Sequence, residues 1–229
     1  MSSSSDTELF QTIRTELSTA VVGDILDTLH YTHQFLPPGL APLQSTAKLI
    51  GRAMPVLEAD IFSPGNPSSK GPLATKPFGL MMEALDDLKE NEVYVATGGS
   101  FRYALWGGLM STRATHLKAA GAVLNGMVRD AEEIERLGFT VFSRGLYAQD
   151  QGARGKVIDY RCMIEIEGVR VKPGDLVFAD REGVLIIPRE VEAEAIEKAR
   201  VKASTESKVA EAIKGGMSAS EAFSTFGVL

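Results

Sequence analysis

The sequence predicts an α/β fold organised as a single domain over residues 1–229. From residue 78 onward, short strand-type apolar runs alternate with segments whose apolar residues recur every three or four positions, the alternation that builds such folds. With 229 residues, 44% of them apolar, the chain can fill a core without disulfides or structural metal. Its one cysteine, Cys162, excludes a disulfide framework and every multi-cysteine zinc or iron–sulfur pattern.

Each element follows from its residues. Leu9, Phe10, Ile13 and Leu17 predict a helix over Glu8–Leu17 with Asp6 or Thr7 as cap, so residues 1–17 form an N-terminal helical arm. A second helix begins at Ser18-Thr19, and Pro37-Pro38-Gly39 closes that segment. Ala47–Leu57 has strand-like apolar content interrupted by Gly51 and Pro55, which predicts an edge strand or a bulge. Ser63–Lys76, with three prolines, two glycines and three serines, predicts a surface loop of the lid or interface-arm kind. Phe78–Leu88 reads as a helix, Glu92–Thr97 as a buried strand, Trp106–Ala119 as a helix and Ala122–Leu124 as a strand. Asp130–Leu137 is predicted helical and Thr140–Ser143 a strand.

Cys162, Ile164 and Ile166 then alternate with Arg161, Met163 and Glu165. Together with Val169–Val171, Leu176–Ala179 and Val184–Ile187, they predict a compact antiparallel meander. A long helix runs from Val191 to Lys214, and Ser218-Ala219-Ser220-Glu221 opens a last short helix as a capping box. These C-terminal helices, residues 191–229, are of the kind that packs on a neighbouring subunit.

Charge and motif content remove whole function classes. Residues 1–100 hold 6 basic and 12 acidic side chains and residues 101–229 hold 18 of each, so no cationic cluster exists to neutralise a nucleic-acid backbone. No apolar run approaches the roughly 20 residues of a membrane helix, and the polar start Met1-Ser2-Ser3-Ser4-Ser5-Asp6 is unlike a secretory signal. A soluble, cytoplasmic protein is expected. No two glycines are separated by a single residue, which excludes the dinucleotide-binding glycine signature and methyl-donor loops of that type. A Walker A sequence and a G-x-S-x-G elbow are also missing. His30 and His33 lie in a polar segment with no third ligand in sequence and read as solvated side chains.

Two features remain that could carry chemistry. Gly98-Gly99-Ser100 and Trp106-Gly107-Gly108-Leu109-Met110 are glycine turns, the second at a helix start where backbone amides can receive an anion; glycine pairs are equally plain turn formers. Asn125–Glu133 follows a strand and precedes a helix, the place where open α/β sheets bind ligands. There Arg129 offers a fork of donors to a carboxylate, and Asp130 is a hard oxygen ligand suited to Mg²⁺ or Mn²⁺. The competing reading makes Asp130 an N-cap, with Glu133 completing a capping box.

Gly108, twenty residues, Arg129-Asp130, two residues and Glu133 give the pattern G-x20-R-D-x2-E. With Ala122–Asp130, Gly138–Gly145, Pro173–Asp180 and Gly183–Pro188, it resembles the family that contains 4-hydroxy-4-methyl-2-oxoglutarate aldolase and the regulator of ribonuclease E activity A. The resemblance runs from about Leu17 to Phe226-Gly227-Val228-Leu229. It implies a swivelling β/β/α fold with helical N- and C-terminal arms, a trimer or hexamer, and a divalent metal at the subunit interface. By the same resemblance Arg129 holds and polarises a pyruvyl group, Asp130 is the metal-site aspartate, and Gly107, Gly108, Leu109 and Met110 form the loop that receives the substrate carboxylate. Glu206 is the counterpart of an acid supplied to the metal site by a neighbouring subunit. Many aldolase members carry an acid where this chain has Gly108, whereas the regulator branch lacks the aspartate that this chain keeps as Asp130.

The implied activity is a metal-dependent aldolase cleaving a 4-hydroxy-2-oxo acid to pyruvate and a second carbonyl compound. Oxaloacetate decarboxylation is expected as a second activity, since it passes through the same pyruvate enolate. The alternative is a non-catalytic regulator that binds a protein partner such as ribonuclease E.

Overall fold

The computed structural model describes residues 3–45, 47–62 and 70–228. In chain order, α1 (Ser3–Glu16), α2 (Thr19–Thr28), β1 (Ala41–Pro42), β2 (Leu49–Asp60), α3 (Met81–Asp86) and β3 (Glu92–Thr97) come first. They are followed by β4 (Ala104–Trp106), α4 (Gly108–His116), β5 (Gly121–Val128), α5 (Ala131–Leu137) and β6 (Val141–Leu146). The chain finishes with β7 (Gly155–Tyr160), β8 (Ile164–Ile166), β9 (Val169–Val171), β10 (Leu176–Asp180), β11 (Gly183–Ile187), α6 (Glu192–Lys214) and α7 (Ala219–Phe226). It divides into two compact units, residues 33–189 and residues 1–32 with 190–229.

The helical unit holds α1, α2, α6 and α7. Ser18 caps α2 by accepting the Val21 N–H at 3.3 Å, and Ser218 caps α7 by accepting from Glu221 at 3.2 Å, as the capping-box sequence predicts. Val22 and Leu26 of α2 and Ala195 and Ala199 of α6 are buried, and Arg200 ties α6 to Glu16 at 2.8 Å.

The larger unit is a mixed sheet in the order β1-β6-β5-β3-β2-β10-β11, with β4 added to β5 and β7 to β2. Period-two alternation divides its core. Met54, Val56, Tyr94, Ala96, Ala122 and Leu124 face one layer, together with α3, α4 and α5 residues such as Leu85, Ala114 and Ile134. Ala53, Val93, Val95, Val123 and Phe142 face the other, where Ile164, Ile166, Val169 and Val171 of a separate β8–β9 hairpin cover them. One short segment spans the two ends of the strand order. Leu36 N–H donates to Val184 and Ile186 N–H to Gln34, while Leu43 N–H donates to Val141 and Ala41 pairs with Ser143.

Several expectations are corrected. The run read as an edge strand or a bulge is the long central β2, which pairs with β3 on one side and with β10 and then β7 on the other, with a register shift between Leu57 and Glu58. Pro55 is tolerated there because β10 pairs with Leu49–Arg52 and β7 with Val56–Asp60, so its missing N–H falls in the handover. The expected meander splits into the β8–β9 hairpin and the β10–β11 hairpin, and β7 was not anticipated. Helix α3 starts at Met81 rather than Phe78, because Phe78 and Gly79 take left-handed φ values of 58° and 64°. Of the predicted loop Ser63–Lys76, positions 63–69 lie outside the described residues, and 71–76 run mainly through turns.

Candidate active site

Strand β5 extends to Val128, four residues beyond the predicted end, so Asn125–Val128 belong to the strand and only Arg129-Asp130 lie past it. A register shift after Leu124 and Gly126, where a Cβ would lie 2.4 Å from Leu105, interrupt the apolar run that the sequence shows. Trp106 is likewise in strand β4, not in the helix. Its ring packs between Tyr94 (4.8 Å) and Phe139 (5.9 Å), and its indole N–H donates to Ser111 Oγ at 2.7 Å. This fixes the step from β4 through extended Gly107 into α4. Ser111 N–H bonds back to Gly107, so the amides of Leu109 and Met110 precede the first intrahelical bond, and that of Gly108 is taken by Asp130.

Asp130 is left-handed, at φ 59° and ψ 37°, and its side chain makes no capping hydrogen bond to α5. It accepts the Gly108 N–H at Oδ2, 3.0 Å away, which decides against the capping-box reading. Arg129 Nε stands 3.8 Å from the same oxygen, and Arg129 Nη1 forms a 3.0 Å ion pair with Asp150. The approach is tight: a Cβ on Gly107 would fall 2.8 Å from Asp130 Oδ2, and one on Gly108 3.1 Å from Glu133 Cγ. Gly107→Ala is compatible with the extended backbone, so its effect is steric. The Asp130 carboxylate must give way by roughly half an ångström, and turnover is expected to fall by up to roughly 10²-fold, measured as kcat against an unchanged thermal melt.

Asp150 belongs to no motif singled out above. It sits in the 147–154 loop, where its Oδ2 accepts the Gly152 N–H at 2.7 Å and Arg154 Nη1 donates to its carbonyl at 3.1 Å. The only local signal is the Asp-x-Gly turn. Behind it, Gln151 is buried and donates to Glu58 Oε2 at 2.6 Å. Burial pushes the Glu58 carboxyl up to about 8; the Asp60 charge adds to this and the Gln151 hydrogen bond opposes it.

Arg129 and Asp130 separate two concavities. A cleft of about 690 Å³ lies toward Thr112, Glu133, Arg136 and Tyr147, and a chamber of about 320 Å³ lies toward Met81, Trp106 and Met110. Of the predicted substrate loop, Gly108 faces the cleft, Gly107 and Met110 the chamber, and Leu109 both. Glu206 lies on α6 in the helical unit, its carboxylate 3.5 Å from Lys202. Among the described residues no three His, Cys, Asp or Glu side chains gather as a metal cluster. Asp130 is a single carboxylate with one oxygen engaged, a donor set that fits Mg²⁺ or Mn²⁺ completed by water and a chelating substrate. No helix among the described residues is long and apolar enough to cross a membrane.

DlpA of Legionella pneumophila is 31% identical over 134 residues, 58% of this chain, which spans only 22% of that protein. A Burkholderia mallei protein named "Putative 4-hydroxy-4-methyl-2-oxoglutarate aldolase" is 35% identical over 121 residues, 51% of this chain and 73% of that one. The structure of Streptomyces coelicolor RraAS2, at 22% identity, superposes with a TM-score of 0.75 over 88% of this chain and 95% of that one, and so shares the fold. The family model described as RraA-like, Aldolase/RraA, matches residues 19–186, and the chain belongs to that family.

Proposed function

We propose that the protein is a divalent-metal-dependent aldolase that cleaves a 4-hydroxy-2-oxo acid to pyruvate and a second carbonyl compound. The observation that carries this reading is Asp130, held in left-handed backbone by the Gly108 amide beside Arg129 instead of capping its helix. A group kept in a strained conformation and turned toward a cleft is suited to binding a ligand.

In the proposed reaction the amides of Leu109 and Met110 receive the substrate carboxylate at the α4 N-terminus. A base takes the C4 hydroxyl proton, the C3–C4 bond breaks with C4 becoming the carbonyl, and the electron pair passes to the C2 oxygen as an enolate. The Arg129 guanidinium holds that oxyanion by a charge-assisted hydrogen bond, and return of one proton to C3 gives pyruvate. Asp130 would hold Mg²⁺ or Mn²⁺, with Glu206 of a neighbouring copy as the second proposed ligand, and the ion would supply Lewis-acid polarisation of the 2-oxo group. A trimer or hexamer is part of the proposal, because Glu206 is supplied between copies. Oxaloacetate decarboxylation is the proposed second activity.

The test is pyruvate release from 4-hydroxy-4-methyl-2-oxoglutarate, related hydroxy-oxo acids and oxaloacetate, with Mg²⁺, Mn²⁺ or EDTA. Metal-dependent release that is lost in Asp130→Ala is expected. A folded oligomer that releases pyruvate from none of them would instead point to the regulatory, partner-binding role.

A further inference from the structure

We infer that the preferred substrate of this site carries an apolar alkyl or aryl group beyond C4, housed in the 320 Å³ chamber, so that 4-hydroxy-4-methyl-2-oxoglutarate and oxaloacetate, each with a second carboxylate, are turned over more slowly than it. The inference rests on the pyruvyl-site reading and adds the substrate class to it. Phe78, Met81, Met82, Leu85, Trp106 and Met110 supply the chamber's apolar lining. Its polar groups are gathered at the Arg129 end, with Asp130, Asp150 and Gln151.

Charge decides between the two kinds of tail. Arg129 is the only basic side chain among the described lining residues, and it is already matched by Asp150 at 3.0 Å. The bases near α3 are engaged elsewhere: Lys76 with Glu83, Arg113 with Asp86, and Lys156 with the carbonyls of Leu73 and Ala74. A second substrate carboxylate would thus meet an apolar lining with no unmatched basic side chain among this chain's described residues there and with two aspartates nearby, which is unfavourable. An alkyl or aryl tail removes apolar surface from water there, and three methionine side chains adapt to its shape. The volume, near the lower limit for ligand pockets, holds about ten atoms of water size at ~30 Å³ each.

Trp106, the only tryptophan in the chain, lines the chamber and reports occupancy through its fluorescence. Titration with Mg²⁺ present would compare pyruvate, 2-oxobutanoate, 2-oxopentanoate and 2-oxohexanoate with 2-oxoglutarate, none of which has a 4-hydroxyl group to cleave. Kd is expected to fall about fourfold per added methylene, and 2-oxoglutarate to bind at least about tenfold more weakly than 2-oxopentanoate, its methyl-ended counterpart. Met82 is half exposed, so Met82→Arg is tolerated by the fold and is expected to reverse that last preference. The inference is overturned, with the pyruvyl-site reading intact, if Arg129→Ala weakens all five ligands but Kd is independent of tail length or 2-oxoglutarate binds at least as tightly as 2-oxopentanoate. It is also overturned if Met82→Arg changes the oligomeric state and no tail dependence is seen, the result of a second copy filling the chamber. If no 2-oxo acid binds in an Arg129-dependent way, the pyruvyl-site reading fails, and this inference with it.

Discussion

Arg129→Ala is expected to lower kcat/KM for pyruvate release by about 10²- to 10³-fold, the usual loss for one preorganised donor facing a developing oxyanion. The side chain is partly exposed and its ion pair with Asp150 is solvated, so the unfolding free energy should change by no more than ~0.5 kcal/mol. Arg129→Lys keeps the charge but not the planar fork that reaches Asp150 and Asp130 together, and intermediate activity is expected. Steady-state kinetics and urea melts on the three proteins check both statements. Parental activity in Arg129→Ala would remove the enolate-holding role.

The second large effect concerns stability. Glu58 titrates at about 8 in the folded chain, against an ordinary value of 4.5. Between those values the unfolded chain has released a proton that the folded chain keeps, so raising the pH favours unfolding. The contribution is complete below about pH 4.5, declines by about 1.4 kcal/mol per pH unit, and is lost above about pH 8. Glu58→Gln retains an oxygen to accept from Gln151 and removes the titration. Relative to the parent, the variant should therefore gain stability steadily across this window, reaching about 5 kcal/mol by pH 9. Urea unfolding of both proteins at pH 5, 6.5, 8 and 9 measures the difference. Parallel pH profiles would mean that Glu58 is ionised in the folded protein.

The site was legible where its pattern is local. Arg129 and Asp130 are adjacent and follow a strand, and their glycine counterparts open a helix, so a short stretch of sequence contained the arrangement. Asp150 and Gln151 were not legible because they arrive from a loop whose only local signal is a turn, and Glu58 because it stands in a strand that also carries Arg52 and Asp60, with no pattern to set it apart. In the fold, the helix and strand alternation around β3, α4, β5 and α5 follows from periodicity alone. β2 was misread because Pro55 normally marks an edge, and only knowledge of its two successive partners shows where the missing donor falls. β4 was hidden by its length: three buried residues ending at Trp106 are too few to display a period.

The segment that joins β11 to β6 also dictates when the sheet can be completed during synthesis. Gln34 and Leu36 bond to Ile186 and Val184, and the Gln34–Ile186 contact is separated by 152 residues. On the ribosome, where the chain grows at about 5–20 residues per second, that seam has no partner until β11 has emerged, about 8 to 30 seconds after Gln34. The same delay applies to the β10 side of β2, whose Leu49–Arg52 backbone waits for Leu176–Ala179. Until then the nascent sheet presents open hydrogen-bonding edges, and its last step carries the entropic penalty of a long loop. Truncation before β11 should therefore leave a sticky, edge-exposed intermediate rather than a smaller stable protein.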